Sequence, residues 1–347
     1  MARDRGAALL MALLLAVLVA VLAGGMMRGE QRRMRLLENQ RVRDQTEQMG
    51  EGALDWARLI LRDDLRVTGA VDHLGEVWAL PISDIPLSKV LGEDSFDSRL
   101  TGRIIDAQGR FNLMSLVKVR NPQGDRGWVA ATEIDTKALE AFQRLLTALG
   151  LDPAQASSIA QRVLTSRFDP APNHQGSGLS GGGASPWNER ARLEAPMPLG
   201  SVSELSAWFP DADPMTLKRL NDVIVILPRP TTVNANTASA TVLGAMLGVD
   251  PARLNGVIQG RQQNFFVDMA DLQRRLNAAL PELPSVSVGL LGVGSDYFFV
   301  LEELRRSEAV QRRQALVARH QGVGQETQVI HEQQGWTVGW GQSEGGG

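Results

Sequence analysis

The order of hydrophobic and polar positions divides the chain into four stretches. From Gly6 to Met27, 22 consecutive residues carry no charge, and the run from Ala7 to Ala23 is almost wholly aliphatic. At about 1.5 Å per residue a helix of this length spans roughly 33 Å, enough to cross a bilayer core. Residues 28–66 contain no Pro, and their Gly residues are Gly29, Gly50 and Gly52. The first part of that stretch, rich in polar positions such as Arg32, Arg33, Glu38, Arg41 and Asp44, reads as a solvated stem. Its later part repeats Leu54, Ala57, Leu61 and Leu65 at spacings of three and four, which predicts a helix with one face packed on a sheet. From Gly69 to Pro86 the pattern is mixed and strand-like, with Val77-Trp-Ala-Leu-Pro81 near its middle. Leu100-Thr-Gly-Arg-Ile-Ile-Asp106 and Gly109-Arg-Phe-Asn-Leu-Met-Ser115 predict a β-hairpin turning at Asp106–Gly109. The middle of the chain is helical. Tyr297–Leu304, Arg312–Arg319 and Thr327–Gln333 then read as three closing strands before a frayed Gly345-Gly-Gly347 end.

Composition narrows the chemistry. The chain has 347 residues with 43% hydrophobic and 22% charged positions, a globular balance with room for two domains. It has no Cys, which excludes disulfides, Cys-zinc sites, iron–sulfur clusters and a thiol nucleophile. A formal charge of −3 argues against a general binder of nucleic acid or anionic lipid. The preference for Arg over Lys reads as coding bias.

The apolar run has three readings by itself: a retained helix, a cleavable secretory signal with weak sites near Ala20–Ala23, or a plain signal anchor. Arg3, Asp4 and Arg5 precede it, while Arg28, Arg32, Arg33 and Arg35 follow with Glu30 among them. Positive charge alone would put the C-terminal side in the cytoplasm. The leader overrides that count. It is short and ends Arg5-Gly6 directly before Ala7 and the helix, and so resembles a type IV prepilin leader. The resemblance implies cleavage after Gly6 by a prepilin peptidase, methylation of the new amine at Ala7, and retention of the helix. Most pilins carry Glu at the fifth mature position, where this chain has Met11. A carboxylate in lipid needs a partner, normally the amine of the next subunit. Its absence favours a subunit at the filament tip over one in the shaft.

Two short sequences in the helical middle match each other. Leu149-Gly-Leu-Asp-Pro-Ala154 recurs as Leu247-Gly-Val-Asp-Pro-Ala252, each with an apolar helix before it (Leu139–Leu149 and Ala240–Leu247) and another after. Asp152 and Asp250 are placed to cap the second helix, with Pro153 and Pro251 at its first position. Each copy resembles a SAM-like or helix-hairpin-helix unit. The approach Val233-Asn-Ala-Asn-Thr-Ala238 and the later Phe266-Val-Asp-Met-Ala-Asp-Leu272 add to that likeness. Hairpins of this type that bind DNA are Gly-rich, whereas a carboxylate at the turn repels phosphate, so a packing unit is the reading and nucleic acid is not an expected partner.

Gly109-Arg-Phe-Asn-Leu-Met-Ser-Leu116, Ser201-Val-Ser-Glu-Leu205 and the repeated unit together resemble general secretion pathway protein K, the minor pseudopilin family of the bacterial type II secretion system. The resemblance covers nearly the whole chain. It implies an α+β, pilin-like fold: a long N-terminal helix plus an antiparallel sheet, with a large all-α insertion. The implied boundaries are a leader at 1–6, a transmembrane half-helix at 7–27, the stem and first part of the pilin-like domain at 28–117, the insertion at 118–285, and closing strands with a tail at 286–347. It further implies a non-enzymatic subunit at the pseudopilus tip. Its helix would be a single pass in the inner membrane and its head would lie in the periplasm. Partners would be the I-type and J-type minor pseudopilins, the major pseudopilin and the prepilin peptidase. Leu9, Leu10, Leu13, Leu14, Val17 and Leu18 would pack on neighbouring helices in the membrane. No cofactor is expected. The family carries an acidic calcium-linked stretch in the Gly-rich loop 170–200, but this chain offers only Asp169, Glu189 and Glu194 there. Calcium takes six to eight oxygens, several from carboxylates, so the departure argues against such a site and leaves metal ligands at none.

Two other functions remain open. A membrane-anchored periplasmic DNA receptor would also combine an anchor with hairpin-helix units. A hydrolase has only Gly178-Leu-Ser180-Gly-Gly182 behind it, and no apolar strand precedes that motif. Gly292-Val-Gly294 is too short for a phosphate loop. His73, His174, His320 and His331 lack metal-ligand spacing. Asp63-Asp64 reads as the solvated side of the stem, Asp211-Ala-Asp213 as helix capping, and Trp208-Phe209 and Phe265-Phe266 as core.

Overall fold

The computed structural model describes residues 13–15, 34, 40–41, 44–86, 98–120, 130–167, 199, 201–281, 288–306, 309–320 and 326–335. The chain divides into two compact units, Met1–Ala53 and Leu54–Gly347. In the first, every described residue is helical, and Leu13 and Leu14 are 61% and 70% exposed.

The second unit opens with a helix over residues 54–67, here α1. Leu54, Ala57, Leu61 and Leu65 are all buried, as the three-and-four spacing requires. The helix ends in a turn where Gly69 takes φ +80, and Thr68 Oγ1 donates to the Asp64 carbonyl. Val77–Ala79 is a 3-10 turn rather than strand. Its one fully buried residue, Trp78, sits edge-on to Phe298 at 5.2 Å. An all-antiparallel sheet follows, in the order β1 (Ile82–Pro86), β2 (Ser98–Asp106), β9 (Tyr297–Arg306), β10 (Ala309–Arg319) and β11 (Thr327–Gln334). The three closing strands lie where their sequences place them.

The central strand explains its own composition. Phe298 and Val300 join Ile104, Ala315 and Val317 under α1, whereas Tyr297, Phe299 and Leu301 join Leu316 and Ala318 against Val225 and Leu227. Both faces are covered, so Tyr-Phe-Phe-Val-Leu is a continuous apolar run without alternation.

The expected hairpin at Asp106–Gly109 does not form. β2 ends at Asp106, a 3-10 turn takes Ala107–Gly109, and β3 (Phe111–Asn112) pairs in parallel with β6 (Ile224–Val225) instead of returning along β2. Asp106 caps that turn by accepting from Gln108 N, so its short-range chemistry ends the strand without reversing it.

Between β2 and β9 the chain builds a mostly helical layer around one apolar cluster, from Phe111 to Leu291. β4 (Val117–Arg120) and β5 (Ala130–Ile134) form an antiparallel pair at its start. Asp135 then caps α2 (Thr136–Ala148), whose Phe142 stacks on Phe111 with ring centroids 5.4 Å apart. α3 (Gln155–Arg167) starts later than Pro153, with Asp152 capping the preceding turn at Ala154 N. Ser201 and Glu204 close a reciprocal capping box on Val202–Trp208 and bury Leu205. Asp213 caps α4 (Pro214–Val223). α5 (Ala240–Leu247) has the expected bounds, and Asp250 caps the 3-10 turn Pro251–Leu254 ahead of α6 (Asn255–Gln263). α7 (Met269–Ala279) completes the layer, and the short β7 (Val233–Asn234) pairs with β8 (Leu291–Gly292).

The matching sequences make matching turns. Gly150 and Gly248 take φ +75 and +71, and Leu151 N and Val249 N both reach back to the carbonyl five residues earlier, on Leu146 and Gly244. Arg144 Nε donates to Ala245 O at 2.7 Å, tying α2 to α5.

Candidate functional site: a buried arginine clasp and the cleft beside it

The densest polar cluster lies where α1, the sheet and the helical layer meet. Its centre is Arg319, the last residue of β10 and fully buried. Its Nη1 donates to Asp64 Oδ2 at 2.8 Å, and its Nη2 to Asp72 Oδ1 and Oδ2 at 2.5 and 2.7 Å and to Ser295 O at 2.9 Å. The guanidinium lies 4.7 Å from the centre of the Phe298 ring. Asp64 reaches this position because residues 61, 64 and 65 share the inward face of α1. The neighbouring Asp63 is exposed, so only half of the Asp63-Asp64 pair lies on the solvated side.

Asp106 forms a second centre. Its Oδ2 accepts from Thr237 Oγ1 at 2.6 Å, Ser295 Oγ at 2.7 Å and Asn234 Nδ2 at 2.9 Å. Asn234 Nδ2 also lies 3.1 Å from Asp72 O. Asn236 accepts from Phe266 N and donates to Phe266 O, as a cross-strand backbone would. In Gly109–Leu116, Asn112 Oδ1 accepts from Met114 N and Leu227 N while its Nδ2 donates to Arg229 O. Ser115 Oγ donates to Thr231 O. The Asn residues of both motifs thus satisfy buried backbone at the junction of sheet and helical layer. The glycines there allow close approach: a Cβ on Gly294 would lie 1.9 Å from Ala70 O, and one on Gly109 2.9 Å from Thr237 Oγ1.

Electrostatically the cluster is over-supplied with carboxylates. Burial pushes Asp72 up to about 7, against the pull of Arg319 and with the help of Asp106. Burial raises Asp64 too, with Glu76 adding and Arg319 opposing, and it raises Asp106 against its four hydrogen bonds. Oxygens of Asp64, Asp72 and Glu76 lie within 4.8 Å of one another, the one trio among the described residues with the spacing to hold a metal ion. Arg319 already engages two of the three. The arrangement serves as a clasp, with the guanidinium as the cation that ties α1 to both β10 and the turn before β9.

The site residues read from the leader and the membrane helix are elsewhere. Gly6, Ala7, Leu9, Leu10, Val17 and Leu18 lie outside the described residues, as do Ser180, His174, Asp169, Glu189 and Glu194. Among the described residues no helix is long and apolar enough to cross a membrane. His73 stacks on Phe265 at 3.7 Å, and Phe209 and Phe266 are buried. No motif announced the clasp: Asp64, Asp72 and Arg319 are unremarkable until the strands bring them together.

Two family models described as type II secretion system (T2SS) protein K match residues 109–229 and 233–293. The chain is 30% identical over 326 residues to the type II secretion system protein K of Pseudomonas aeruginosa, covering 90% of this chain and 87% of that protein. Its structure resembles a chain in the crystal structure of the GspK-GspI-GspJ complex from the enterotoxigenic Escherichia coli Type 2 Secretion System. The TM-score is 0.58 at 19% identity, over 86% of this chain and 99% of the other, which shows a shared fold.

Proposed function

The chain belongs to the protein K family of the type II secretion system, the minor pseudopilins of protein secretion, and from that premise we propose that it caps the pseudopilus and initiates its assembly. The carrying observation is the helical layer inserted between two neighbouring strands of one sheet, β2 and β9. A body of that size on the head obstructs packing within a helical shaft and is accommodated at an end. The fold is α+β, and the packing of α1 against an antiparallel sheet supports the finer description of a pilin-like head. The paired Gly-Leu-Asp-Pro and Gly-Val-Asp-Pro turns support SAM-like units used for packing. Nothing in the comparisons favours the DNA-receptor alternative.

In this reading the prepilin peptidase cuts between Gly6 and Ala7, the uncharged helix stays in the inner membrane and the head is periplasmic. Met11 in place of the usual Glu fits a subunit with none above it. Leu9, Leu10, Leu13, Leu14, Val17 and Leu18 face the membrane helices of I- and J-type minor pseudopilins, and major pseudopilins add below. The neighbouring structure contains I and J subunits, which supports those partners. The role asked of the chain is structural, with apolar helix packing as its driving force. The test is co-purification from membranes of the full chain with the I- and J-type subunits, together with the intact mass. The expected result is a ternary complex in which this chain begins at a methylated Ala7. A chain that binds neither subunit, or one released by cleavage beyond residue 27, refutes the reading.

A further inference from the structure

A cleft of about 440 Å³ opens beside the clasp, between the last turns of α1 and residues 73–77. Its walls include Ile60, Val67 and Val77, and its carboxylates are Asp63, Asp64 and Glu76. Val67 is 84% exposed and Val77 69%, so the mouth presents aliphatic surface to solvent. The Glu76 side chain, by contrast, is only 2% exposed. Its Oε2 accepts from Trp78 Nε1 at 2.6 Å and from His73 N at 3.0 Å, while Oε1 has no hydrogen-bond partner. His73 Nε2 stands 3.9 Å from Oε1, beyond hydrogen-bond distance, and His73 Nδ1 is engaged by Gly75 N. The Arg319 guanidinium is spent on Asp64 and Asp72. A buried carboxylate oxygen without a donor is costly, and its residue, Glu76, is part of the cleft lining.

We infer that the cleft receives the basic side chain of a partner subunit, a Lys or Arg whose aliphatic stem lies along Ile60, Val67 and Val77 and whose cationic end donates to Glu76 Oε1. Such side chains are apolar along the stem and charged at the tip, which is the pattern of this lining. A bare metal ion fits less well. It needs several free oxygens, whereas Arg319 holds Asp64 Oδ2 and both oxygens of Asp72, and the apolar walls offer it nothing. That the partner is a pseudopilus subunit rests on the function proposed above; the preference for an aliphatic cation does not.

The test uses the full chain in detergent with methyl-labelled Ile and Val. It is titrated with n-butylammonium, n-butylguanidinium, the neutral n-butanol and calcium chloride, and read by NMR. Saturable shifts at Ile60, Val67 and Val77 are expected from both organic cations, with roughly ten-fold weaker binding of the alcohol. Glu76→Gln, which can keep its contact with Trp78, is expected to erase the difference between cation and alcohol. Asp63→Asn, on the exposed rim, is expected to weaken cation binding by a smaller factor and keeps the test open should Glu76→Gln fail to fold. No response, an equal response to butanol, or calcium producing the same shifts and displacing butylammonium overturns the inference. Failure to co-purify with I- and J-type subunits strikes the functional reading and leaves this titration untouched.

Discussion

Two buried arginines, Arg319 and Arg261, tie separate segments of the chain together by different means. Arg319 meets two carboxylates, a carbonyl and an aromatic face. Arg261, on α6, donates from Nη1 to Ala235 O and from Nη2 to Ala238 O, both at 2.5 Å, and so meets only backbone dipoles there. Burial lowers Arg261 to about 10, still cationic at neutral pH. The contrast separates two ways of placing a guanidinium in a protein interior. Counter-charges give the stronger tie but leave a cluster whose stability depends on protons. Carbonyls give a weaker anchor that does not respond to pH.

The largest expected effect is that of Arg319→Met. It strands Asp64 and Asp72 against each other without a cation, and breaking such a buried pair costs about 3–5 kcal/mol. Chemical denaturation of the full chain at pH 8 measures it, and the loss should shrink at pH 5, where the carboxylates take up protons. Arg261→Met should cost less, about 2 kcal/mol for two lost charged hydrogen bonds partly offset by relief of burial. Equal losses for the two variants at pH 8 would break the comparison.

Next in size is the pH dependence of stability. Asp72 titrates near 3.8 when unfolded and at about 7 when folded, so the folded state retains its proton longer. Its contribution is complete below the unfolded value and is lost as pH rises through about 7. Asp64 and Asp106 are raised as well and act in the same sense. Arg261, lowered from 12.5 to about 10, is silent between pH 5 and 8. The thermal midpoint is therefore expected to fall from pH 5 to pH 8. Asp72→Asn should flatten that fall and Arg261→Met should not. A slope unchanged in Asp72→Asn would move the titrating group to Glu302, also raised to about 7 by burial. The smallest effect serves as a control: Ser201→Ala opens the capping box on Val202–Trp208 and should cost about 1 kcal/mol at either pH.

Elements set by local pattern were readable from sequence. The inward face of α1, the bounds of α5, the paired Gly-Asp-Pro turns and the three closing strands follow from spacing, capping residues and β-branched runs within a few positions of one another. The hairpin expected at Gly109 is absent because alternating residues there fit a strand of either pairing, and nothing local reveals that Phe111 and Asn112 pair with Ile224 and Val225. The clasp was hidden for the same reason. Asp63 and Asp64 look alike in sequence, and a step of one residue on a helix turns one to solvent and the other to Arg319, 255 positions away. The Asn-rich motif is visible, but its work, satisfying the Asp106 carboxylate and the backbone of Asp72 and Phe266, is not.

The pairing of β2 with β9 sets the order of events during biosynthesis. Asp106 sits opposite Phe298, so the whole helical layer is made between two strands that must end up side by side. That layer has its own apolar cluster and can collapse early, while α1 has no cover until the chain from Tyr297 onward emerges. Closing so long a loop is slow, and a nascent chain in that interval displays Leu54, Ala57 and Leu61 bare. Chaperone capture, or degradation of unfinished chains, falls in that window, before Arg319 arrives to fasten the helix in place.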